Sequence, residues 1–183
     1  QFSEKAGRDF QKATLEILQS PAQKIILDLR NNPGGYLEIS RVIASYFLEK
    51  DKIVALEDFG GKKERKAYLA EGHPALLSFP LVVLINQGSA SAAEILAGAL
   101  RDNRQIKLIG ETSFGKGSVQ ELKDLAENSA LKITVAKWLT PNGQSISEKG
   151  LEPDIKVEIT DRDYEEEKDP QLDKALEVVK EIR

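Results

Sequence analysis

The chain has 183 residues, 40% hydrophobic and 31% charged, with a net charge of −4, a single His, no Cys and no Met. That is enough chain for one domain with a sizeable core, and the charge balance excludes the basic face that a nucleic-acid binder presents. Without Cys there are no disulfides, thiolate nucleophiles or Cys-bound metals, and one His cannot build a multi-His metal site. No apolar run approaches transmembrane length and no signal peptide is visible. The lack of Met even at position 1 leads to the expectation that this is a piece of a larger protein.

Residues 5–19 place Phe10, Ala13, Ile17 and Leu18 at helical spacing, which predicts an amphipathic helix. "KIILDL" (24–29) reads as a short strand and "RNNPGG" (30–35) as a loop. Leu37, Ile39, Val42, Ile43, Tyr46 and Phe47 predict a second helix, ending near Glu49. "IVALED" and "KERKAYLA" flank Gly60-Gly61 and suggest a hairpin. "PLVVLIN" (80–86) is uniformly apolar, as a strand covered on both faces must be. A helix from about Ser91 to Arg101 and a strand "IKLIG" (106–110) follow. Beyond a Gly-punctuated loop, "ETSFGKGS", lie strands "VQELK" and "LKITVAKWLT" and a turn "PNGQS" (141–145). "EPDIKVEI" is read as a last strand and "DRDYEEEKD" as a solvated charge run. Residues 170–182 are read as a terminal helix with Leu172, Ala175, Leu176 and Val179 inward. Strands alternating with helices argue for an α/β fold with a mainly parallel sheet and crossover helices, together with β-hairpins and a C-terminal helix.

The chemistry question centres on "INQGSASAAEILAG" (85–98), where an apolar strand turns into a helix through two serines. Ser91-Ala-Ala-Glu94 fits a capping box, a structural reading that competes with any catalytic one. The strand-turn-helix placement also suits a nucleophilic serine, because the first helical N–H groups and the helix dipole favour developing negative charge there. Ala92 could supply one oxyanion donor from its backbone. A nucleophilic Ser needs a base. His73, between Gly72 and Pro74, reads as a plain loop residue, which leaves Lys as in known Ser-Lys arrangements. Lys116 stands between two glycines in "SFGKGS", and the spacing of this loop is wrong for a Walker A phosphate site. A lysine base at neutral pH must be lowered by roughly 3 units, about 4 kcal/mol, and desolvation is the means.

"LDLRNNPGG", "NQGSASAAEILAGAL", "GETSFGKGSVQ" and "WLTPNGQSI…KGLEPDI", in this order, resemble the C-terminal processing peptidases, the tail-specific protease family of Ser-Lys endopeptidases. The resemblance runs from about Phe10 to the terminal helix. It implies that Ser91, not Ser89, is the nucleophile, Lys116 the general base and Gln120 the residue that orients the lysine. It implies an oxyanion hole made by the backbone N–H groups of Ala92 and of Gly35, with Gly34 the less favoured alternative. Ala93 stands where Ser is common, and Trp138 where Tyr is common.

The fold so implied is crotonase-like (ClpP/crotonase-like), with residues 1–160 as the catalytic core and 161–183 as a charged linker and C-terminal helix. No metal or cofactor is required. A PDZ domain is expected upstream, absent from this chain. The partner is a protein or peptide with an apolar C-terminus, not nucleic acid. Membrane association is expected only through upstream segments, homo-oligomerisation is left open, and the compartment implied is extracytoplasmic, the bacterial periplasm or cell envelope. Two rival readings are a catalytically silent peptide- or apolar-ligand-binding module and acyl-CoA chemistry on the same scaffold. Neither requires Ser91, Lys116 and Gln120 together.

Overall fold

The computed structural model describes residues 1–124 and 129–182. Five helices and eight strands are found among them: α1 (Glu4–Gln19), β1 (Ile25–Asp28), α2 (Leu37–Phe47), β2 (Ile53–Asp58), β3 (Lys66–Leu69), β4 (Leu81–Ile85), α3 (Ala92–Arg104), β5 (Lys107–Gly110), β6 (Ser118–Asp124), β7 (Ala130–Leu139), β8 (Ile155–Lys156), α4 (Asp161–Glu165) and α5 (Pro170–Glu181). Among the described residues no helix is long and apolar enough to cross a membrane.

Four strands make a parallel sheet in the order β1-β4-β5-β8. All five residues of β4 are buried, which accounts for the unbroken apolar run of its sequence. Successive β4 side chains point to opposite faces. Val83 and Ile85 enter the main core with α2 and α3, while Val82 and Leu84 pack with Ala175 and Val179 of α5. The second sheet is antiparallel, order β3-β2-β7-β6. The Gly60-Gly61 break is the turn between β2 and β3, where both glycines have positive φ. Trp138 on β7 meets the ring edge of Tyr68 on β3 at a centroid distance of 5.3 Å.

Several expectations are corrected. Leu18 is 47% exposed, because the inward stripe of α1 runs through Phe10, Thr14 and Ile17. Thr14 is tolerated there because its hydroxyl donates to Phe10 O at 2.9 Å. Leu172 and Leu176 are exposed as well; α5 instead turns Gln171, Ala175, Val178 and Val179 toward the sheet. The stretch expected as a solvated charge run contains a helix, α4, capped by Thr160, whose hydroxyl accepts from Asp163 N–H. The last strand shrinks to two residues, and α3 runs three residues past its expected end to a left-handed Gln105.

Candidate active site

β4 delivers the chain to the turn Asn86–Ala90, and α3 begins at Ala92. Ser91 sits at the junction with φ 55 and ψ −120, a conformation that costs a non-glycine residue about 1–3 kcal/mol. The turn is tied down by Ser89, which is fully buried. Its hydroxyl donates to Leu29 O at 2.8 Å and accepts from Asn86 N–H at 3.0 Å. Ser89 is therefore a strut between two loops, out of reach of any substrate. Ser91 is partly exposed.

The loop 30–35 packs directly against this turn. Ala90 N–H donates to Asn32 O at 2.9 Å, and Asn31 and Asn86 exchange hydrogen bonds of 2.8 and 3.0 Å. A Cβ on Gly34 would lie 2.5 Å from Ala90 O, 2.8 Å from Ala92 N and 2.9 Å from Ser91 Cβ, so glycine is obligatory there. Gly34 N–H is already engaged by Asn32 Oδ1 at 3.0 Å. The N–H groups of Gly35 and Ala92 have no acceptor among the described residues. Two donors are thus left open beside Ser91, one from each side of the turn. The loop is also paired with the start of the chain: Phe2 N–H donates to Gly34 O at 2.7 Å and Tyr36 N–H to Phe2 O at 2.9 Å.

The segment 111–117 completes the surroundings. Phe114 N–H donates to Ser89 O at 2.9 Å, and Glu148 N–H donates to Gly115 O at 2.9 Å. Glu94, one turn into α3, joins this segment to the serine. Its carboxylate is fully buried and accepts four hydrogen bonds. Oε2 takes Ser91 N–H (2.8 Å) and Lys116 N–H (3.0 Å); Oε1 takes Gly115 N–H (2.7 Å) and the Ser113 hydroxyl (2.5 Å). With each lone-pair direction occupied, the buried charge is compensated without a cation.

The backbone at Lys116 is held in this way, but its side chain is exposed. Neither Lys116 Nζ nor Gln120 hydrogen-bonds to Ser91, and Gln120 is also exposed, on β6 beside a register shift between Val119 and Gln120. The structure therefore brings Ser91, Ala92, Gly34, Gly35 and the Lys116 backbone together, and leaves the Lys116 and Gln120 side chains in solvent. His73 lies on an exposed loop at φ 86, lining a cleft with Leu15 and Tyr46. Among the described residues no group of three or more His, Asp or Glu side chains is placed to hold a metal ion.

Sequence reasoning read Glu94 only as a cap. The signal for more was its company: a lone carboxylate in "SAAEILAGAL", a helix start otherwise small and apolar throughout. The Arg30–Asp169 ion pair also went unread, since 139 residues separate the partners.

The profile of peptidase family S41 matches residues 1–157. The carboxy-terminal processing protease CtpA of Bacillus subtilis (strain 168) is 42% identical over 161 residues, 87% of this chain and 34% of that protein. The carboxyl-terminal-processing peptidase 3, chloroplastic, of Arabidopsis thaliana is 42% identical over 154 residues, 84% of this chain and 30% of that one. Among solved structures, a photosystem II D1 C-terminal processing protease superposes with a TM-score of 0.80 at 34% identity, over 86% of this chain and 40% of that one, in agreement with the ClpP/crotonase-like fold. The chain spans about a third of the length of the curated relatives it matches. By a match that runs from its first residue through β8, the chain belongs to peptidase family S41.

Proposed function

We propose that this chain carries the catalytic core of a C-terminal processing serine endopeptidase acting through Ser91 and Lys116. The observation that carries the reading is the strained Ser91 at a helix start, flanked by two open donors, Ala92 N–H and Gly35 N–H. Ser91 Oγ attacks the scissile carbonyl and its proton passes to the neutral amine of Lys116. The tetrahedral oxyanion is held by Ala92 and Gly35, whose place beside a helix N-terminus favours negative charge. Collapse expels the amine, which takes the proton back from Lys116. Water, deprotonated by Lys116, then attacks the ester; the acid leaves and Ser91 recovers its hydrogen. Gln120 orients the lysine.

The exposed Lys116 side chain adds a condition. Desolvation is what makes a lysine a base near neutral pH. Substrate, or chain beyond these residues, must therefore cover Lys116 in the active state. A PDZ domain upstream, reading an apolar C-terminal tail and propping the cleft, meets the condition. The substrate is an extended or unfolded chain, laid as a strand beside the cleft. The relatives' names, which speak of carboxy-terminal processing, support the same substrate class. An extracytoplasmic location completes the reading.

The test is incubation of an unfolded protein with wild type and with Ser91→Ala. Cleavage by the first and none by the second supports the reading. Equal cleavage by both overturns it, and binding without cleavage by either would favour a silent binding module.

A further inference from the structure

The terminal helix α5 lies beyond the family match, which ends at residue 157, yet its first turn reaches both loops of the candidate site. Arg30 is the first residue of the oxyanion loop, and its side chain is 13% exposed. Its guanidinium donates to both carboxylate oxygens of Asp169 at 2.8 Å, to Asp28, and to Gln171 Oε1 at 3.2 Å. A planar fork held on two carboxylates leaves Arg30 little freedom. Gln171 is fully buried. Its amide nitrogen donates to Val157 O at 2.8 Å and to Glu111 Oε1 at 3.2 Å, and Glu111 opens the segment that leads to Lys116. One buried glutamine thus links the start of the oxyanion loop to the start of the lysine loop. The far end of α5 is held by Lys24, just before β1, whose Nζ donates to Lys180 O at 2.7 Å and Ile182 O at 2.8 Å.

We propose that Arg30, Asp169 and Gln171 are positioning residues, through which α5 sets the spacing between the Gly35 N–H and the Lys116 loop. The proposal rests on the Ser91–Lys116 reading of the site. None of the three touches the reacting atoms; each acts on a loop that does. The lysine loop is tied to α3 through Glu94 and the oxyanion loop to the serine turn through Asn32 and Asn31, and neither of these ties links the start of one loop to the start of the other. The ion pair and Gln171 connect them to a helix that is packed on the sheet. A small misplacement at such a site costs orders of magnitude in rate.

Two variants separate positioning from folding. Asp169→Asn removes the charge that ties Arg30 to α5, leaving Asp28, while keeping the cap of α5, which Asp169 now supplies to Leu172 N–H at 2.9 Å, because Asn caps as well as Asp. Gln171→Met keeps an unbranched side chain of similar size and removes the hydrogen bonds. For each, kcat and KM on an unfolded protein substrate are measured beside thermal unfolding and hydrogen exchange of amides in 31–35 and 112–116. The expected result is a fall in kcat on the order of tenfold or more with KM little changed. Exchange should rise in both loops while Ala175 and Val179 stay protected. Wild-type kcat together with wild-type loop exchange overturns the proposal, even if thermal stability drops. If the wild-type chain by itself cleaves nothing, as it would were chain beyond these residues needed to cover Lys116, loop exchange alone decides the proposal in the same two directions.

Discussion

Ser91 and Lys116 donate their backbone N–H groups to the same oxygen, Oε2 of Glu94. The two backbone nitrogens are thus no farther apart than two hydrogen bonds placed end to end, although 25 positions separate them in the chain. The buried carboxylate sets the distance between Ser91 and the Lys116 loop while the lysine side chain is still in solvent. Glu94→Gln should therefore be damaging despite its near-identical shape. The amide can accept through one oxygen only, and its NH2 would face N–H donors. Each hydrogen bond to a charged group contributes about 1.5–3 kcal/mol, so both stability and kcat should fall, with kcat down on the order of a hundredfold. Thermal unfolding and steady-state cleavage of Glu94→Gln measure the two; wild-type kcat would remove Glu94 from the positioning of the site.

The two serines of "SAS" should separate by phenotype. Ser91→Ala should abolish cleavage and stay folded, losing at most the about 0.5–2 kcal/mol of a cap. Ser89→Ala should keep part of the activity but lose about 1–3 kcal/mol, since Asn86 N–H would lose its acceptor and Leu29 C=O would keep only the donor from Asn32 N–H. Chemical denaturation alongside a cleavage assay tests the pair; equal loss of cleavage in both, with both folded, contradicts the assignment.

Gly34→Ala should be among the most damaging single-methyl additions in the chain. Its new Cβ would strike Ala90 O, Ala92 N and Ser91 Cβ, at a φ of +86 that already strains any side chain. Gly143 has a similar φ of +83 but open space around it, so Gly143→Ala reports the backbone strain alone. The expected order is loss of cleavage in the first and near-normal cleavage in the second, at a cost of about 1–3 kcal/mol for the strain. Comparable activity in the two variants would mean that the loop is not pressed against the serine.

Lys116→Arg should be inactive, because a guanidinium does not give up its proton near neutral pH. His73→Ala should cleave as wild type, since His73 is exposed and bonded to nothing at the serine. The exposure of Lys116 also predicts weak cleavage by this chain and stronger cleavage by a longer protein that carries the proposed upstream PDZ domain. Steady-state rates of the two proteins compare them directly. A rate for this chain equal to that of the longer protein would show that no covering segment is needed.

Acid should loosen the terminal helix first. Arg30 holds the Asp169 carboxyl below its ordinary value, by hydrogen bonding and charge, against a smaller opposing effect of burial. A group depressed on folding adds stability above its unfolded value, and that contribution disappears as pH falls through the folded one. The loss should set in below the ordinary aspartate range of about 4. Thermal unfolding followed down from neutral pH should show a shallower acid limb in Asp169→Asn than in wild type. Identical limbs would mean that the ion pair contributes nothing measurable.

Much of this protein could be read without its structure. The uniform run at 81–85 could only be a strand covered on both sides, and the Gly60-Gly61 break could only be a turn. Local chemistry decides such elements, so they appear in the sequence. Four ordered motifs carried the family resemblance, and it was that resemblance which favoured Ser91 as nucleophile; its place between strand and helix left the capping reading open. Which face of α1 and of α5 turned inward was decided by packing: Leu18, Leu172 and Leu176 lost to Thr14 and Gln171, whose polar groups find partners that only the folded chain supplies. Glu94 looked like a cap because its nearest partner is three residues away; the others, at Ser113, Gly115 and Lys116, are brought to it by β5 and its following loop. Arg30 and Asp169 met for the same reason. Hydrogen bonds and ion pairs between distant segments depend on where the sheet places its strand ends, and no local pattern of residues encodes that placement.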